Sequence, residues 1–185
     1  MRIGIGVPNT PRRNAAPSVP GWVDTLSADY PIGPLSFIPG FDITLGTPFT
    51  TTPAGGLCTG IRIRLGTFSP LTPISLTFAL YALGGAPLGN ETLAFDPAWF
   101  GNIVQTTPAF PAVNLSPSSQ YVAALWINGP NGPYNYAPIV PAGYLPQSFP
   151  KYTINVGVQS AVNVGLNYPA NNNPLYATYI EPVML

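Results

Sequence analysis

The sequence predicts an all-β fold, an antiparallel β-sandwich carried behind an extended, proline-rich N-terminal arm. Three observations point there. Apolar and polar residues alternate with period two over many short stretches, glycine and proline punctuate the chain between them, and no stretch shows a sustained helical period. Of 185 residues, 25 are proline and 19 glycine, yet 46% are hydrophobic, enough apolar material for a real core rather than a disordered tail.

Residues 1–40 form the predicted arm. Pro8, Pro11, Pro17, Pro20, Pro31, Pro34 and Pro39 break any alternation there. Proline fixes φ and has no N–H to give to a ladder, so the segment reads as extended chain rather than sheet. It also carries Ile3, Ile5, Val7, Trp22, Leu26, Tyr30, Leu35 and Phe37, more apolar side chains than a solvated tail needs. Two arrangements fit: the arm lies across a neighbouring subunit, or it wraps its own domain. On the first, Ile3, Ile5, Val7, Arg12, Arg13 and Trp22 are the expected partner contacts.

Residues 41–185 form the predicted sandwich domain. In "GLCTGIRIRLG" the alternation places Leu57, Thr59, Ile61, Ile63 and Leu65 on one face, with Cys58, Arg62 and Arg64 on the other. "ISLTFALYAL" repeats the pattern, setting Ile74, Leu76, Phe78 and Leu80 against Ser75, Thr77 and Tyr81. Gly84-Gly85 then marks a tight hairpin whose turn needs positive φ. Further strands are expected in "ETLAF", "NIVQTT", "AVNL", "QYVAALWI", "YTINVGVQ" and "LYATYI", nine or ten in all. Trp126, inside one of them, is expected to pack in the core. A Pro/Asn-rich loop at 128–150 is long for a hairpin connection, and loops of that size are often functional.

The chemistry is sparse. There is no histidine, which removes the commonest general base and metal ligand together with any Ser-His or Cys-His pair. Of the six acidic residues, Glu91 and Asp96 flank one strand, but their odd spacing sets them on opposite faces rather than across a cleft. No carboxylate cluster suggests a calcium cage, so no catalytic, cofactor or metal residue is predicted. The single cysteine, Cys58, has no internal disulfide partner and reads as a small core residue. Arg62 and Arg64, about 7 Å apart along their strand, have two readings: a fork for an anion or a partner's carboxylate, or the wet face of a half-buried sheet paired to Asp or Glu across it. Aromatic residues outside strands, Trp99, Tyr134, Tyr136 and Tyr144, are the candidates for stacking on a sugar, against the plainer role of closing an open end of the sandwich.

Charged residues are only 6% and the net charge is zero, a composition that favours association into many copies or a homo-oligomer. Six basic residues give no patch for nucleic acid. The apolar runs are far shorter than the ~18 residues of a membrane span. The start "MRIGIGVPNTPRRN" lacks the apolar core of a secretory signal.

The stretch "LGTPFTTTPAGGLCTGIRIRLG", followed by "TFALYALGGAPLG" and "PAFPAVNLSPSSQYVAALWING", resembles a jelly-roll-like β-sandwich module of bacterial surface proteins and bacteriophage structural proteins, a family of unknown function. The resemblance covers residues 41–138. Tyr81 stands where that module usually has Trp, and its Gly-Trp is replaced by Gly101-Asn102. No catalytic residues are known for the module, so the resemblance transfers none. It implies a non-enzymatic virion component, a capsid decoration or minor tail protein, whose partners are other virion proteins. The alternative is a carbohydrate-binding module that recognises host surface glycan through Trp99, Tyr134, Tyr136 or Tyr144.

Overall fold

In the computed structural model, the described residues are 43–64, 75–99, 103–128, 139–141, 146–155, 157–162, 167–173 and 176–185. The predicted arm, residues 1–40, lies outside them, as does most of the 128–150 loop. Fourteen strands occupy the described residues, and they pair antiparallel throughout.

The large sheet runs β12 (Asn171–Asn173), β11 (Val158–Val162), β1 (Ile43–Thr51), β7 (Gln120–Asn128), β3 (Ser75–Ala82), β4 (Pro87–Ala94). On the β11 side of β1, β10 (Tyr152–Ile154) also pairs with it, and β9 (Gln147–Ser148) pairs with β10. The small sheet is β14 (Ile180–Met184), β2 (Gly56–Arg64) and, along the other edge of β2, β5 (Ile103–Gln105) and β6 (Val113–Leu115). A separate ladder joins β8 (Ile139–Pro141) to β13 (Tyr176–Thr178). The two main sheets pack face to face, as the alternation predicts. Their shared core takes Leu45, Phe49, Leu76, Phe78, Leu80 and Leu125 from the large sheet and Cys58, Ile61, Ile63, Val104 and Ile180 from the small one. Each such fully buried aliphatic or aromatic side chain stabilises the fold by about 1.5–3 kcal/mol relative to exposure.

β1 is the strand that local patterning hides, because Gly46 and Pro48 interrupt it. Proline normally cannot sit in a central strand. Here β1 pairs with β7 along its length, but on its other side it changes partner, from β11 at Ile43–Gly46 to β10 at Phe49–Thr51. Pro48 falls in the gap between them, where no N–H is required, and its carbonyl still accepts from Asn155 N at 2.9 Å.

β2 departs from strict alternation. Its pairing with β14 shifts between Gly60↔Val183 and Cys58↔Met184, so Thr59 is an extra residue in a β-bulge. A bulge reverses the phase of every residue beyond it. Cys58 therefore joins Ile61 and Ile63 in the core, whereas the unbroken pattern placed it beside Arg62 and Arg64. Leu57 and Thr59 are only half-buried, not core residues. Gly60 completes the bulge, because a Cβ there would collide with the Thr106 hydroxyl, which accepts from Ile61 N at 3.0 Å.

β3 and β4 form the predicted hairpin, with Gly84 at φ 69° and Gly85 N donating to Ala82 O at 3.0 Å. The expected "YTINVGVQ" strand divides into β10 and β11 around Gly157, whose φ is 112°.

Candidate functional site

Charged groups within the described sandwich converge at one place. Register sets Arg62 of β2 directly opposite Glu181 of β14. Arg62 Nε donates to Glu181 Oε1, and Tyr152 of β10 donates its phenolic hydrogen to Oε2. Glu181 is 0% exposed and the Arg62 side chain 17%. Since β10 belongs to the large sheet and β14 to the small one, the carboxylate ties the two layers together at their margin. Tyr152 is itself fixed by rings: Phe149 lies at 5.1 Å and Phe49 at 6.1 Å between centroids. A carboxylate held on both oxygens by a guanidinium and a phenol is positioned as a strut. Of the two readings of Arg62, pairing with an acid across the sheet is the one the structure shows.

The other described acids are also engaged internally. Glu91 of β4 accepts from the backbone N–H of Thr107 at 2.8 Å and from its hydroxyl. Asp96 accepts from Ala98 N at 2.9 Å and starts the 3-10 turn Pro97–Trp99. Glu91 and Asp96 are thus tied to separate backbone features and do not form a pair. Among the described residues, no group of three or more His, Cys, Asp or Glu stands close enough to hold a metal ion.

Trp99, on that 3-10 turn, is half-buried. Its ring meets Phe95 edge-on at 5.8 Å and packs against the main core. Tyr134, Tyr136 and Tyr144, the other glycan candidates, lie outside the described residues. So do the arm residues Ile3, Ile5, Val7, Arg12, Arg13 and Trp22. Cys58 is buried, donates its thiol hydrogen to Gly60 O at 3.2 Å, and has its pKa pushed up to about 11 by loss of solvation.

One cluster escaped the alternation entirely. On the face of the large sheet turned away from the small one, Thr44 Oγ1, Tyr81 OH and Trp126 Nε1 are buried without hydrogen-bond partners. Burial raises the Tyr81 phenol to about 12. The available signal was the run of apolar and aromatic residues on both parities of "FALYAL" and "YVAALWI", the mark of a strand covered on both faces. No protein-family model matches the chain, and no curated protein matches it.

Proposed function

We propose that the chain is a non-enzymatic bacteriophage virion component, a capsid decoration or minor tail protein that docks on other virion proteins through its N-terminal arm. The observation that carries this reading is the use of charge in the sandwich. Glu181, Glu91 and Asp96 are each bonded to the fold's own groups, as Arg62 is, so these side chains serve rigidity. The resemblance of residues 41–138 to a module of phage structural proteins supplies the setting. The low charge of 6% suits life inside an assembly, where like copies must sit side by side.

The mechanism is geometric. A stiff two-layer body stands on the particle while apolar arm residues and Arg12-Arg13 engage the underlying shell or tail. Deleting residues 2–20 removes Ile3, Ile5, Val7, Arg12 and Arg13 and leaves the sandwich strands intact. The truncated chain is expected to keep its β-type circular dichroism and to be missing from purified particles. Incorporation at the wild-type level would rule out this stretch as the tether.

A further inference from the structure

The outer layer of a sandwich normally keeps one face in water. The central strands of the large sheet do not. On the face away from the small sheet, Thr44 of β1 lies opposite Trp126 of β7, and Ala124 and Val122 of β7 lie opposite Ala79 and Tyr81 of β3. Thr44 is 1% exposed, while Val122, Ala124, Ala79 and Tyr81 are all 0%. Three strands over this length present a surface of about 14 by about 14 Å. Among the described residues, Tyr168 reaches it, edge-on to Tyr81 at 5.8 Å, and so does Pro169, near Gly46. Two rings are a small cover for three strands. The polar chemistry is unfinished as well, since Thr44 Oγ1, Trp126 Nε1 and Tyr81 OH have no partner. Each such buried group costs about 1–3 kcal/mol while it stays unpaired.

We propose that residues 21–42, the half of the arm nearest the domain, dock across this face of their own sheet, leaving residues 1–20 for any external partner. The segment ends at the right place: Asp42 leads straight into Ile43 and Thr44, at the end of the face where Trp126 stands. Its length is ample, for extended chain at about 3.3 Å per residue gives it a reach of about 70 Å. It carries large apolar side chains, among them Trp22, Leu26, Leu35, Phe37 and Phe41. Its prolines at 31, 34 and 39 give it more carbonyl acceptors than N–H donors. That surplus complements the face, whose three unpaired groups can all donate a hydrogen. The neighbouring segments fit less well. Residues 129–138 contain no Leu, Ile, Val or Phe, and residues 65–74 must cross from Arg64 in the small sheet to Ser75 in the large one.

The proposal goes beyond a virion role and stands or falls independently of it. Asn90, exposed on β4 beside Ala79, marks the rim of the face. In the full-length chain, Asn90→p-benzoylphenylalanine is photo-cross-linked in a mixture of isotopically light and heavy protein and mapped by mass spectrometry. Links to residues 21–42 within single-mass chains are expected. Links confined to 65–74 or 129–138, or joining light to heavy copies, overturn the proposal. A second full-length measurement isolates Trp126 with Trp22→Phe and Trp99→Phe. Adding Leu26→Gln, Leu35→Gln and Phe37→Gln should shift its emission to the red and raise acrylamide quenching. Unchanged emission and quenching would mean that this segment does not cover the face.

Discussion

Arg62→Ala is expected to destabilise the fold by about 3 kcal/mol, the lower end of the cost of removing one partner from a buried ion pair. The geometry sets the size. Glu181 is 0% exposed, so it cannot exchange the guanidinium for bulk water, and the phenol of Tyr152 brings no charge to set against the carboxylate. The lower end applies because the Arg62 side chain retains 17% exposure and its cavity admits some solvent. For a chain of 185 residues, each kcal/mol moves the midpoint by about 2–4 °C, which gives a fall of about 6–12 °C. Thermal unfolding followed by circular dichroism, with a urea titration at constant slope, reads the change. Arg62→Met combined with Glu181→Leu and Tyr152→Phe should recover most of the loss, because neither a buried charge nor the phenol that donated to it is then left behind. A loss below about 0.5 kcal/mol for Arg62→Ala would refute the reasoning, since it is the behaviour of an exposed pair.

Two further predictions follow from single sites. Gly60→Ala drives a methyl into the Thr106 hydroxyl, and turning that hydroxyl away strands the buried N–H of Ile61, a cost of about 1–3 kcal/mol readable in a urea titration. At high pH, the fold favours the neutral forms of Cys58 and Tyr81, raised from their ordinary 9.0 and 10.0 to about 11 and about 12. The unfolded chain therefore releases these protons first. Their contribution to stability is complete below pH 9 and is lost as pH rises through 12. Displacements of this size are worth at most about 2.7 kcal/mol per group. Tyr81→Phe should flatten the upper part of that limb, and Cys58 should resist thiol reagents until the chain unfolds. An alkaline profile identical to wild type in Tyr81→Phe would remove Tyr81 as a source.

The sandwich was legible because alternation is a local code. Ile61, Ile63, Leu76, Phe78 and Leu80 all lie in the core where period two puts them, and Gly84-Gly85 turns the hairpin it announces. Composition and the missing histidine were equally readable. What stayed hidden depends on partners far along the chain. Pro48 is tolerated in a central strand only because β10 and β11 leave a gap opposite it. Cys58 turns inward because Thr59 is an extra residue relative to β14, more than a hundred positions away. The pairing of Arg62 with Glu181, and the covering of Tyr81 and Trp126 on their outer face, were likewise decided by strand order and register. Alternation says which residues share a side; it says nothing about what each side meets, and that assignment belongs to tertiary structure.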